Sequence, residues 1–235
     1  MIPYHGGPFS DKAIAAEVYR GRHAMVSFAR PEQIQLVAEI AQSFALDNGA
    51  YANWRSGRTT PAWDAYYGWV EEWRTHPAFD FALIPDVVDG NCGQNDALIS
   101  EWPFSQGGVP VFHLDEPVKR LVRLGGRFGR VALGSSGRFR NPGTRLWWTR
   151  MCEVMRAVCD QRGRPLVRLH GLRMLSPAII RRVPLASADS TSICRNVNLD
   201  VKWNGTYQPA TRMGRALALR ERIESAEVAT KWTGR

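Results

Sequence analysis

Short apolar, β-branched or aromatic runs recur along the chain, each separated from the next by a polar or turn-forming stretch. They stand at MIPYH (1–5), AMVSF (24–28), SFAL (43–46), FDFALI (79–84), VPVFHL (109–114), RVAL (130–133), PLVRLH (165–170) and VPLASA (183–188). Their length and content predict eight buried strands. Between them the apolar positions change to helical spacing. Ser10 reads as an N-cap before Ile14, Ala15, Val18 and Tyr19, with Gly21 as the stop. Pro31 opens a second helix with Ile34, Val37, Ile40 and Ala41 on one face. Trp63, Tyr66, Tyr67, Val70 and Trp73 mark another, and Val118, Leu121 and Val122 follow Asp115, Glu116 and Pro117. The longest stripe is Leu146, Trp147, Met151, Val154, Met155 and Val158, ended by Gly163. Such stripes are expected to be faces packed on a sheet rather than cofactor boxes. Only about a turn of helix fits around Ser176 to Ile180, and a charged helix is expected from about Ala210 to Ala229.

A strand followed by a helix, repeated through one chain of 235 residues, predicts an α/β fold, the (β/α)8 TIM-type barrel. No Pro/Gly/Ser-rich linker or internal repeat divides it. The expectation is a single catalytic domain over residues 1–235 with a charged helical tail from about 210 to 235. A doubly wound open sheet would more often carry a glycine-rich phosphate loop after its first strand. HGGPFS is too short to be G-x-G-x-x-G.

Charge adds a partner to this picture. Lys and Arg number 31 against 22 Asp and Glu, a net 31 − 22 = +9, while 44% hydrophobic residues exclude a disordered tail. No apolar run approaches the roughly 18 residues of a membrane helix. The amino terminus MIPYHGGPFSDK lacks the layout of a signal peptide, so a soluble, cytoplasmic protein is expected. Arg123, Arg127, Arg130, Arg138, Arg140, Arg145 and Arg150 lie close together, interleaved with Phe139, Trp147 and Trp148. Arginine with aromatics suits phosphate contacts and base stacking, and a positive rim beside the barrel mouth is expected. Arg138, Arg140, Arg145 and Arg195 are the DNA-binding candidates. Cys92, Cys152, Cys159 and Cys194 form no C-x-x-C pair and read as packing rather than a zinc site or disulfides.

A barrel places its chemistry at the carboxyl ends of its strands. Those ends read His5-Gly6-Gly7, Ser27, Asp47-Asn48-Gly49, Asp86, His113 with Asp115, Gly134-Ser135-Ser136-Gly137, His170-Gly171 and Asp189-Ser190. An isolated Asp after a strand is usually a cap, so the weight lies in their convergence on one face. Asp47 and Asp189 each follow a small or apolar strand directly. Paired carboxylates in a barrel mouth are the equipment for chemistry at an anomeric carbon, one attacking C1′ and the other handling a proton. That chemistry demands no metal and no nucleotide cofactor. The strand-end histidines His5, His113 and His170 leave a metal-assisted hydrolase or a barrel N-glycosidase, acting on nucleosides or small sugars, as the alternative. A non-catalytic nucleic-acid-binding barrel is the third reading.

The order of these ends resembles the tRNA-guanine transglycosylase superfamily. It runs Asp-Asn-Gly-Ala-Tyr after strand three, Asp after four, a polar residue after five, Leu-Gly-Ser-Ser-Gly after six, Gly in the end of seven and Asp after eight. The closest likeness is to the compact phage-type DNA-guanine transglycosylases, which place 7-deazaguanine bases into DNA. It runs through roughly residues 1–205, and its individual motifs are short. The resemblance implies that Asp189 is the nucleophile and Asp47 the general acid/base. It matches Asp86 to the aspartate that reads the purine edge, His113 to the position of a base-reading glutamine, and Gly134 and Ser135 to the loop contacting the exocyclic oxygen. Asn48, His170 and His5 are further candidates for substrate binding. The zinc site and insertion of the tRNA enzymes are absent from this sequence, which favours DNA over tRNA as the substrate. The implied partners are DNA with its target guanine flipped or unpaired, and a free 7-deazaguanine of the preQ0 type.

Overall fold

The computed structural model describes residues 1–57, 62–198, 203 and 207–234. Its strands are β1 (Ile2–Gly6), β2 (His23–Ser27), β3 (Ser43–Asp47), β4 (Phe79–Leu83), β5 (Gly108–Val109), β6 (Val111–His113), β7 (Arg130–Gly134), β8 (Arg168–Gly171) and β9 (Ser187–Ser190). They form one sheet in the order β5-β4-β3-β2-β1-β9-β8-β7-β6, and every pairing is parallel. The two outermost strands, β5 and β6, are neighbours in sequence, separated only by Pro110. The sheet is therefore rolled into a nearly closed barrel. Nine strands stand where eight are expected because proline has no N–H to give the ladder. The Val109 carbonyl still accepts from Ile84 N (2.9 Å) and the Pro110 carbonyl from Ala132 N (2.9 Å), so the chain crosses from β4 to β7 at that residue.

Side chains alternate along each strand. Tyr4, Met25, Ala45, Phe81, Leu83, Val109, Val111 and Ala132 pack together inside the barrel. Their sequence neighbours Ala24, Val26, Phe44, Leu46, Ala82, Phe112, Val131 and Leu133 belong to the larger core beneath the helices. Continuing the inner phase to the carboxyl ends reaches Ser27, Asp47, His113, Gly134 and Asp189. The amino end is closed by charge: Tyr4 and Arg130 both donate to Asp80, and the Arg130 guanidinium lies 4.5 Å from the centre of the Phe81 ring. Burial opposes ionisation of Asp80, but Arg130 and Tyr4 hold it below the usual carboxylate range.

Around the sheet run α1 (Lys12–Tyr19), α2 (Ile34–Ile40), α3 (Ala50–Arg55), α4 (Trp63–Trp73), α5 (Cys92–Glu101), α6 (Val118–Arg127), α7 (Arg145–Val158), α8 (Pro177–Ile180), α9 (Ser192–Asn196) and α10 (Arg212–Glu224). The expected apolar stripes are largely the buried faces, notably Tyr66, Val70 and Trp73 in α4 and Trp147, Met151, Val154, Met155 and Val158 in α7. Val122 and Leu146 are exceptions and face solvent. Asp11, not Ser10, caps α1, its carboxylate accepting from Ala13 N and Ile14 N. The tail helix packs against α1. No described helix is long and apolar enough to cross a membrane.

Candidate active site

The carboxyl ends of β3 and β6 and the loops after β3 and β4 bring Asp47, Asn48, Asp86 and His113 to one side of the barrel mouth. With Gly134 and Ser135 they enclose a cavity of about 40 Å3, and Tyr51 and Arg173 also line it. That is room for a few waters rather than a purine. The Arg173 guanidinium stacks 4.3 Å from the centre of the Tyr51 ring, and the pair walls one side of this cavity. The Asp47 carboxyl is pushed up to about 7. Desolvation is the main cause. Ser27 pulls the other way, the charges of Asp189 and Asp86 add to the rise, and the Gly49 N–H, 3.3 Å from Oδ2, offsets a little of it.

Asp86 is 8% exposed, and both its oxygens already have protein partners. Asn48 Nδ2 donates to Oδ1 at 2.7 Å, and His113 Nε2 lies 2.9 Å from Oδ2. Burial alone would lower the pKa of His113, but the bond to Asp86 and the charges of Asp86, Glu116 and Asp115 hold it above its ordinary value. His113 Nδ1 is buried without a hydrogen-bond partner among the described residues. The missing side chain of Gly134 matters here, since a Cβ would sit 3.1 Å from that nitrogen.

Asp189, the last residue but one of β9, is joined to the wall of this cavity through Arg173. Its Oδ1 accepts from the backbone N–H of Arg173 at 2.9 Å. Arg173 makes that bond with φ at +59°, a left-handed conformation costing a non-glycine residue about 1–2 kcal/mol. Beneath Asp189, His170 Nε2 is 3.5 Å from Oδ1 and Nδ1 is 2.8 Å from Ser187 Oγ.

The mouth thus gathers Asp47, Asn48, Asp86, His113, Gly134, Ser135 and Asp189 as expected. Two candidates need correction. His170 has no exposed surface and packs edge-on against Tyr4 and Phe81, so it can position Asp189 but cannot touch a substrate in this arrangement. His5 is one residue out of phase with the inward Tyr4 and pairs with Glu224 of α10 at 2.9 Å. It fastens the tail helix. Asn48 lines the cavity, but its amide is occupied: Nδ2 also donates to the Ile84 carbonyl at 3.0 Å and Oδ1 accepts from Ala50 N at 2.8 Å. Its role is to hold Asp86. Ser135 Oγ likewise accepts from Trp147 Nε1 at 3.0 Å. Missed altogether are Arg173 and the buried pair Glu116–Arg120, in which Glu116 Oε2 accepts from Arg120 at 2.6 Å and from His113 N at 3.0 Å, fixing the end of β6. Only the place of Arg173 just past the seventh expected strand could have singled it out among so many arginines.

No known protein family, curated protein or solved structure matches this chain. Its chemistry is read from its own side chains. Among the described residues no group of three or more His, Cys, Asp or Glu side chains is placed to hold a metal ion. The four cysteines are free.

The expected rim of seven arginines is smaller than the sequence suggests. Arg130 lies in the barrel floor on Asp80, Arg123 pairs with Asp96, and Arg150 donates to the Leu114 carbonyl and pairs with Glu153. Arg127 stacks over Phe128. Arg138, Arg140 and Arg145 remain exposed and without an acidic partner among the described residues, Arg138 lying over Phe139. If they meet DNA, replacing all three with alanine flattens the dependence of log K on log salt by more than about one unit, at roughly 0.9 per duplex phosphate contact. An unchanged slope in a filter-binding titration would make them solvated surface only.

Proposed function

We propose that this protein is a DNA-guanine transglycosylase, exchanging guanine in DNA for a 7-deazaguanine base of the preQ0 type. In this reading β5 and β6 count as one strand interrupted at Pro110, making a (β/α)8 barrel. The observation that supports it best is the pairing of Asp47 with Asp189 at one mouth, with Asp47 poised near 7 by burial and by its acidic neighbours. A group that must give a proton and then take one works best with a pKa near the operating pH.

Asp189 attacks C1′ of the target deoxyguanosine, and the bond from C1′ to N9 breaks. The departing guanine takes its proton from Asp47. A covalent glycosyl-aspartate remains. The incoming 7-deazaguanine gives its N9 proton to Asp47 and attacks C1′, releasing Asp189. Two inversions return the original configuration, with no net change in protons and no call for ATP. Asp86 and His113 are the candidates to read the edge of the purine, and their mutual bond fixes the two side chains against each other. The Arg173 backbone N–H holds Asp189 in place for attack.

Single-stranded DNA containing guanine, incubated with labelled guanine or labelled preQ0, should incorporate the label into the strand. The rate should peak near pH 7, falling at lower pH because Asp47 cannot accept the N9 proton and at higher pH because it cannot protonate the leaving base. Base release without incorporation would assign an N-glycosidase instead, and neither event would leave a nucleic-acid-binding barrel.

A further inference from the structure

On the mouth side of the barrel Arg138, Arg140, Arg145 and, in α9, Arg195 are exposed. A second group of cations is assembled elsewhere, by two backbone hydrogen bonds. After α10 the chain returns along the outside of the barrel, where Ala229 N donates to the Ile180 carbonyl at 2.9 Å and Trp232 N to the Gly163 carbonyl at 2.7 Å. Arg181 and Arg182 directly follow Ile180, Arg162 and Arg164 flank Gly163, and Lys231 precedes Trp232. Three stretches far apart in sequence thus lay five cations along one ledge. The crossing is a built feature. Trp232 is buried, and Gly163 has φ at +76°, where a Cβ would collide with the Trp232 carbonyl oxygen. All five cationic side chains are exposed, and none has an ion-pair partner among the described residues. Asp160 Oδ1, in the same turn, is engaged by Arg162 N at 2.9 Å and Arg164 N at 2.8 Å.

A cleft of about 490 Å3 runs beside this ledge, lined by Arg181, Arg182, Glu227, Thr230, Lys231 and Thr233. It shares Val228, Ala229 and Thr230 with a second cleft of about 660 Å3, which Arg168 lines. The second cleft also touches Met1, Gly129 and Ala186, the residues just before β1, β7 and β9. The ledge therefore lies toward the amino ends of the strands, away from the mouth that holds Asp47 and Asp189. Guanidinium and ammonium groups with hydroxyls between them suit phosphate oxygens whatever the base sequence. No aromatic, Leu, Ile or Met side chain lines the smaller cleft, which favours phosphates over an acidic peptide anchored by apolar groups. We infer that this ledge is a second DNA-binding surface, taking duplex DNA by its phosphates without reading its bases. It goes beyond the base-exchange reading, which uses the opposite end of the barrel. Duplex DNA is stiff over about 150 bp, so the duplex on the ledge is a distant stretch of the polymer or a second molecule, not the strand in the mouth. Held there, the protein keeps hold of DNA while the mouth samples guanines.

The test follows a short fluorescein-labelled duplex by fluorescence anisotropy across a salt series. Replacing Arg162, Arg164, Arg181 and Lys231 together with glutamine should flatten the slope of log K against log salt by about two to three units, at roughly 0.9 per phosphate contact. Affinity at low salt should fall at least about tenfold. The charge-keeping variant Arg162→Lys, Arg164→Lys, Arg181→Lys should stay near the wild-type slope, and Arg181→Glu alone should flatten it by about one unit. These side chains are exposed and unpaired, so thermal melting should match wild type. Guanine exchange on a short single strand is measured separately and should be unchanged in the glutamine variant. Wild-type slope and affinity in that variant would overturn the surface. So would an equal loss of duplex binding and of single-strand exchange, which would put these residues on the path of the strand to the mouth. Loss of duplex binding with no exchange even in wild type keeps the surface and discards the transglycosylase reading; exchange in both proteins with unchanged duplex binding does the reverse.

Discussion

Asp189→Asn is expected to abolish base exchange, by on the order of 10^4-fold or more, while leaving the fold and DNA affinity close to wild type. The size follows from the chemistry: an amide cannot form the glycosyl ester, and no second carboxylate shares its position at the end of β9. The tolerance of the fold follows from the geometry. The Asp189 carboxylate accepts one bond from Arg173 N at 2.9 Å and otherwise faces His170 Nε2 at 3.5 Å without a proper hydrogen bond. An asparagine oxygen can keep the first contact, and its amide can sit in the volume of the lost oxygen. Only the side chain's charge disappears. Denaturing gel electrophoresis of wild type quenched during turnover should show a protein–DNA adduct that the variant lacks. An adduct persisting in Asp189→Asn would transfer the nucleophilic role to Asp47.

Much of this mouth is legible in the sequence because barrel strands impose a period of two. Once Ala45 is interior, Asp47 must be too, and the same step takes Val111 to His113 and Ala132 to Gly134. The same rule turns His5 outward, since Tyr4 fills the barrel. Strand phase at one residue decides between a ligand contact and a helix fastener, and apolar runs alone do not reveal it.

The last two strands sit later than their apolar runs suggest. Leu166 is 74% exposed, Val183 and Leu185 pack outside the barrel, and the residues in the ladder are Arg168–Gly171 and Ser187–Ser190. A strand of Ser, Ala, Asp and Ser has no apolar signature because its inner face supplies Ser187 to His170 and Asp189 to the mouth. Helix α5 escaped notice for a related reason. Its buried face carries Asn95, which accepts from Val87 N at 2.8 Å and donates to Glu116 at 3.1 Å, replacing an apolar stripe with a polar junction. The arginines were the hardest to place: closeness in sequence says nothing about which of them find an acid, and Arg130 and Arg150 both do.

Asp47→Asn should also remove exchange, and should make the protein more stable at alkaline pH than the wild type. Burial and the charges of Asp189 and Asp86 raise Asp47 from an ordinary 3.8 to about 7, so between those values the folded state keeps a proton that the unfolded chain has lost. Stability therefore falls as pH rises through that window, and the full penalty is present above about 7. At 1.36 kcal/mol per pH unit the ceiling is about 4 kcal/mol. Asp47 keeps part of its surface open to the mouth, so water screens some of this, and a gain of about 2–3 kcal/mol is expected for the asparagine variant at pH 8. Below about pH 4, where Asp47 is protonated in both states, the advantage should vanish. Urea unfolding of the two proteins across this range should give curves that converge in acid and diverge toward base. Parallel curves would mean that Asp47 ionises freely in the folded protein. The stored repulsion would then be absent, and with it the poise that suits Asp47 to give a proton to one base and take it from the next.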